Sequence, residues 1–244
     1  MKDMITVLIP TSPIPSHPST AILDETISNI RKYTDATIII MFDGVHESLA
    51  HRTEDYDEYK RRVLHAVDLK TYGHCICSIY EHHIHQAEMT KRTLKDINTP
   101  LIMFCEHDTS PIGGIPFIDI CEMLLSSTLN YIRFNIFHTI LPEHEYLMLY
   151  RSAFPKPEIR YTHTIQWSQR PHIAKTKWYQ SVLFDYFPDG AKTMIEDVMH
   201  SVVIRKYNEL GFDTFGLAIY TPEGNQLRSY HSDGRGTDEK IITG

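Results

Sequence analysis

Long apolar runs are missing from this 244-residue chain. The longest, such as Ile38 to Phe42 and Leu101 to Cys105, fall far below the roughly 18 residues that a membrane-spanning helix needs. Cysteine is scarce: Cys75, Cys77, Cys105 and Cys121 form no Cys-x-x-Cys pair, so they read as small buried hydrophobes and not as a structural zinc site. Positive charge is in deficit. With 24 Lys and Arg against 31 Asp and Glu, the net charge of -7 argues against a broad basic face for nonspecific binding to nucleic acid, though not against a local basic groove. No internal repeat is present. Histidine, by contrast, is plentiful at fifteen residues, but the group His82-His83-x-His85 lacks a fourth ligand at a recognisable spacing and reads as a solvated loop.

The composition, 42% hydrophobic and 23% charged, is that of a globular protein of one large domain. Met4 to Pro10 is apolar, β-branched and ended by proline, which predicts a buried strand and not a secretory leader; the expected location is the cytoplasm. Leu23, Ile27 and Ile30 follow at helical spacing, and Ala36 to Phe42 predicts a second strand, stopped by Asp43-Gly44. The alternation continues with a helix marked by Tyr56, Tyr59, Val63 and Val67, a strand at Cys75 to Tyr80, a helix through Ala87, Thr90, Leu94 and Ile97, and a strand at Leu101 to Cys105. Such alternation implies an α/β fold, a mainly parallel, Rossmann-like sheet with helices on both faces and ligands at the carboxyl ends of the strands.

Past residue 128 the pattern turns irregular. Tyr131 to Phe137 and Tyr146 to Tyr150 read as strands, Pro155 to Gln166 as a loop leading into a strand, and Thr193 to Leu210 as a helix. The expected organisation is one domain over residues 1–231, with a first half to 128, a second half from 129, and a polar tail over 232–244.

The most informative segment is Phe104-Cys105-Glu106-His107-Asp108. A buried strand ending in Glu-x-Asp points two carboxylates into a crevice, where oxygen ligands hold a hard divalent cation. Glu196-Asp197 opens the late helix, where acids are also favoured simply by the helix dipole.

Taken in order, Ile9-Pro10-Thr11, Phe42-Asp43-Gly44, Glu106-His107-Asp108, Glu196-Asp197 and His231 resemble the nucleotide-sugar-dependent glycosyltransferases of the GT-A fold, especially the large inverting family of cellulose, chitin and hyaluronan synthases. The resemblance covers nearly the whole chain. It implies a Mn2+ or Mg2+ ion on Asp108 and His231 that stabilises the departing diphosphate. Glu106 stands where the commonest form of the motif has Asp, with a longer arm. The resemblance further implies donor contacts from Pro10, Thr11, Asp43, Gly44, Glu106 and His107, and a basic contact from Arg92, with Lys91 second. Asp197 would be the general base, oriented by Glu196, although Ile195 stands where relatives often have a small residue. Arg228 and Arg235 are further phosphate candidates.

In the second half, Trp167, Gln169, Arg170, His172 and Trp178 fall where relatives bind acceptors, Trp167 being the preferred aromatic because its neighbours are polar. The partners implied are a nucleotide sugar, expected to carry UDP, and an acceptor that is a glycan or the hydroxymethylated base of phage DNA. The opening Ile-Pro-Thr-Ser-Pro-Ile-Pro-Ser-His-Pro resembles phage proteins, and Lys156, Arg160, Arg170, Lys175 and Lys177 form a candidate groove for an extruded base. Two other classes compete. A nucleotidyltransferase would normally carry a Gly-rich loop with a basic residue after the first strand, which Thr-Ser-Pro-Ile-Pro lacks; a noncatalytic binding module predicts binding without turnover.

Overall fold

The structure is a computed structural model that describes residues 2–135, 140–156, 159–221 and 227–232. Arg235, Phe137 and the tail from 233 lie outside the described residues, as does the side chain of Lys156.

A nine-stranded sheet runs through the molecule. Its first half comprises β1 (Ile5–Thr11), β2 (Thr37–Phe42), β3 (Cys75–Ile79) and β4 (Leu101–Phe104) in the order β3-β2-β1-β4, all parallel. The connections are α1 (Ala21–Arg31), α2 (Thr53–Asp68) and α3 (His85–Leu94). β1, β2 and β4 are apolar on both faces because both are covered, while the edge strand β3 is only partly buried. Ile5, Val7, Ile9, Ile38, Ile40 and Met103 pack with Leu23, Ile27 and Ile30 of α1 and Tyr56, Tyr59 and Val63 of α2. Their neighbours Leu8, Met41, Ile102 and Phe104 pack with Ala87, Met89 and Leu94 of α3. The period of two thus sorts one run of residues into two cores, which is why no polar alternation appears in the sequence.

A short strand, β5 (Thr109–Pro111), and α4 (Phe117–Ser126) follow, and then the sheet continues across residue 128. β6 (Tyr131–Phe134), β7 (Met148–Lys156), β8 (Ile159–Thr164), β9 (His172–Lys175) and β10 (Leu217–Tyr220) extend it in the order β4-β9-β6-β10-β8-β7. β9 lies antiparallel between β4 and β6, so β6, and β10 parallel to it, run in the direction of the first four strands. The segment expected as a loop from Pro155 instead contains β8, antiparallel to β10. α5 (Thr176–Tyr186) and α6 (Ile195–Leu210) cover the α3 face through Tyr179, Val182, Leu183, Met199 and Val203. A four-residue helix, α7 (Phe212–Phe215), precedes β10, and β11 (Ser229–His231) pairs with β5 in a separate two-stranded ribbon. Among the described residues no helix is long and apolar enough to cross a membrane.

His172 is fully enclosed at the junction of the two halves, its ring among Phe104, Tyr131 and Tyr179 at 4.4 to 5.5 Å between centroids. Its Nδ1 donates to the Arg170 carbonyl at 2.8 Å. Burial pushes its pKa down to about 3, the hydrogen bond opposing and the Arg133 charge assisting. The folded state therefore holds it neutral while the unfolded chain protonates it below about 6.5, so stability is lost as pH falls from 6.5 toward 3. At pH 5 the loss from this residue is about 2 kcal/mol. Chemical denaturation of the wild type and His172→Gln between pH 7 and 5 checks this: the variant loses less over that interval, and equal slopes would refute it.

Candidate active site

The carboxyl ends of β1, β2 and β4 meet at one edge of the sheet. Register sets Thr11 beside Phe42 and Leu8 beside Phe104, so the chain leaves β4 just where β1 still has three residues to run. Glu106, His107 and Asp108 turn across that step. The Thr26 hydroxyl of α1 donates to the His107 carbonyl at 2.8 Å, and His107 Nδ1 donates to the Pro10 carbonyl at 3.2 Å. His107 thus holds the turn to β1 through Nδ1. Thr11 is buried as well, sharing hydrogen bonds with the Tyr56 hydroxyl.

His231 reaches this turn from far along the chain. The β5–β11 ribbon pairs it with Thr109, Ser232 N donates to the Asp108 carbonyl at 2.8 Å, and His231 Nδ1 stands 3.9 Å from Asp108 Oδ2. Among the described residues no group of three or more His, Cys, Asp or Glu side chains is arranged to hold a metal. A carboxylate and an imidazole 3.9 Å apart are close enough for bonds of about 2.0–2.2 Å to one ion, and a mixed oxygen and nitrogen pair suits manganese. The donor set fits a divalent cation whose remaining ligands come from a bound phosphate or water.

Glu106 is the electrostatic outlier. Burial pushes its carboxyl up to about 7, the Asp108 charge adds to this, and the Gln86 hydrogen bond and the Arg170 charge oppose it. Two adjacent carboxylates in one crevice raise the cost of ionising both, a cost that a cation removes.

Gln86 was not among the residues singled out from the sequence. Its Nε2 donates to Glu106 Oε1 at 2.7 Å, and its Oε1 accepts from Ile195 N at 3.2 Å. One amide in the first turn of α3 therefore ties the end of β4 to the first residue of α6. Nothing in the sequence around Gln86 has a spacing that would have marked it.

The first turn of α6 presents Glu196 and Asp197, with His200 and Ser201 one turn on, to an open cavity of about 800 Å3. Glu196 Oε2 accepts from Gln169 N at 2.8 Å, and His200 Nδ1 donates to the Trp167 carbonyl at 3.3 Å, so the segment 167–169 is laid against this turn by its backbone. Arg170 lines the same cavity. Residues at the carboxyl ends of β6 and β10, Asn135 and Thr221, complete its rim on the edge that also carries Glu106.

Other candidates stand elsewhere. The Asp43 carboxylate is almost fully enclosed and accepts three backbone hydrogen bonds, from Gly44 N, Ile84 N and His85 N at 2.9 to 3.1 Å, with His83 Nδ1 2.9 Å from its Oδ2. Gly44 is required beside it because a Cβ there would lie 2.2 Å from the His82 carbonyl carbon. Lys91 is buried, donating to the Phe187 carbonyl and pairing with Asp189, while Arg92 pairs with Glu88. Both basic residues bind α3 and the segment before α6 rather than project toward Asp108.

Trp167, expected to face the acceptor, has no exposed surface. It packs against Tyr131, Trp178 and Tyr179, so a substrate cannot stack on it, and Gln169 is also enclosed at 3% exposure. The polar neighbours Gln166, Ser168 and Gln169 are buried as well, because the whole loop packs into the protein. Among the described side chains the basic groove does not assemble either. Lys175 pairs across from Leu101, at the opposite edge of the sheet, and Lys177 lies beyond it in α5, while Arg160 and Arg170 line the cavity.

No protein-family profile and no curated protein matches the sequence. Solved structures do match by fold. Residues 1–349 of S. aureus TarS in complex with UDP-GlcNAc superpose with a TM-score of 0.56 over 96% of this chain at 14% identity. GalNAc-T7 with UDP, GalNAc and Mn2+ gives 0.56 over 93% at 11%, and a mannosyltransferase from Pyrobaculum calidifontis with GDP-Man and Mn2+ gives 0.54 over 91% at 11%. The chain has the GT-A fold. It spans 43% to 59% of the length of these three solved chains.

Proposed function

We propose that this GT-A chain transfers a sugar from a nucleoside-diphosphate sugar, expected to be a UDP-sugar, to an acceptor hydroxyl with inversion at the anomeric carbon. The observation that supports the reading is the Gln86 bridge, which joins the Glu106–Asp108 turn to the acidic first turn of α6. That brings a site with cation-ligand chemistry beside an acid-lined cavity, the two functions a sugar transfer needs.

In this reading Asp108 and His231 hold the cation, and Glu106 supports it directly or through water. A divalent cation, when bound, offsets the charge of the departing diphosphate. The cavity receives the acceptor. Asp197 accepts the acceptor's hydroxyl proton as that oxygen bonds to the anomeric carbon and the bond to the diphosphate breaks, through an oxocarbenium-like state. Glu196, fixed by Gln169 N, positions the turn that carries Asp197. A glycan acceptor accords with this cavity better than duplex DNA, since Lys175 and Lys177 stand at the far edge of the sheet.

Isothermal titration of UDP, GDP, CDP and ADP, with manganese and again with EDTA, tests the donor half. The expected result is manganese-dependent binding of one nucleotide, weakened about tenfold or more in Asp108→Ala. A folded protein that binds none of the four sinks the proposal and favours a noncatalytic module.

A further inference from the structure

The cavity against α6 has two unlike walls. Its helix wall carries Glu196 and Asp197; its sheet wall carries Arg133, with Arg170 beside it on the loop before β9. Arg133 lies in β6, opposite His172 of β9 and Ile219 of β10, and is only 9% exposed. Among the described residues the one hydrogen bond its guanidinium makes is to the neutral Gln166 Oε1, with no carboxylate within ion-pair distance. A buried arginine normally has such a partner, because leaving water costs several kcal/mol that only an opposing charge and a full set of acceptors recover. Burial lowers its pKa and the nearby Arg170 charge adds to this, while Tyr131 and Glu196 oppose it. Since a guanidinium stays protonated regardless, the protein's own groups leave this charge incompletely balanced.

None of the residues after β1, β2 or β4 lines this cavity, and although the Arg170 charge also reaches Glu106, Arg133 belongs to the cavity and not to the Asp108 turn that the donor diphosphate would use. Resting on the transferase reading above, we propose that the acceptor carries a phosphate group, bound by Arg133 and Arg170, with its reacting hydroxyl turned toward Asp197. A phosphate offers each planar guanidinium two oxygens at once and supplies the negative charge that Arg133 lacks. The walls then sort the two ends of one molecule: anion to the sheet, hydroxyl to the helix. Specificity for a phosphorylated acceptor follows, because a neutral analogue leaves Arg133 buried without its counter-charge.

Titration of methyl phosphate into the full chain in EDTA, followed by calorimetry or phosphorus NMR, tests this. Binding is expected in the wild type, weakened about tenfold in Arg133→Gln and in Arg170→Gln, within twofold of wild type in Asp108→Ala, and retained when UDP and manganese are saturating. Arg170 is in a loop, so its variant serves if Arg133→Gln does not fold. No binding by the wild type, displacement by UDP and manganese, or equal binding of acetate overturns the proposal. The nucleotide titration reads the donor site separately. Nucleotide binding without methyl phosphate binding removes the acceptor class alone, and the reverse removes the transferase reading.

Discussion

On the proposed mechanism, replacing Asp197 by Asn is expected to lower sugar transfer by about 10²–10⁴-fold and to leave manganese-dependent nucleotide binding within twofold of wild type. The substitution keeps the shape of the side chain and removes its capacity to take a proton. Asp197 is in the first turn of α6, one residue past the Glu196 that Gln169 N fixes, and it faces the cavity. The two effects separate because Asp197 lines the cavity, whereas the proposed cation ligands Asp108 and His231 are placed by the turn after β4 and by the β5–β11 ribbon. His200 is the rival base. It lines the same cavity, and because its Nδ1 proton is given to the Trp167 carbonyl, its Nε2 is the basic nitrogen. If His200 takes the acceptor proton, His200→Gln carries the large loss and Asp197→Asn falls by less than tenfold; that pattern would remove Asp197 from the mechanism.

The legible parts of this molecule are those whose physics is local. β1, β2 and β4 end within a residue of where apolar runs predict, because strands buried on both faces have no polar positions to blur their bounds. Glu106 and Asp108 stood out since charge directly after such a run has nowhere to go but the edge of the sheet. Glu196 and Asp197 stood out at the start of an apolar-striped helix. The second half was harder because β6, β9 and β10 have four residues each and mix directions, too short for any period to declare itself. Trp167 misled through its neighbours: in a loop, adjacent residues share no face, so polar flanks say nothing about where an indole points. Gln86 was invisible for a different reason. Its role is a contact with Glu106, twenty residues on, and Ile195, more than a hundred on, and only the fold brings them together.

Asp43 gives the second large effect, and it separates a role in folding from a role in binding. Asp43→Ala should destabilise the protein by about 3 kcal/mol, a fall in Tm of roughly 6–12 °C for a chain of this size. The carboxylate accepts three backbone hydrogen bonds, Oδ1 from Gly44 N and Ile84 N and Oδ2 from His85 N, and the His83 ring nitrogen stands 2.9 Å from Oδ2. These bonds close the loop before α3 onto the end of β2, where Gly44 already lies so near the His82 backbone that no side chain fits. With both oxygens engaged by backbone N–H groups, Asp43 is committed first to its own loop. Its influence on the donor therefore passes through α3, whose next residue, Gln86, holds Glu106. Thermal melts of Asp43→Ala and nucleotide titration well below its Tm distinguish the two roles. A lowered Tm with nucleotide affinity kept within threefold is the expected pair. An unchanged Tm with nucleotide binding lost would mean that the carboxylate leaves its loop to read the donor directly.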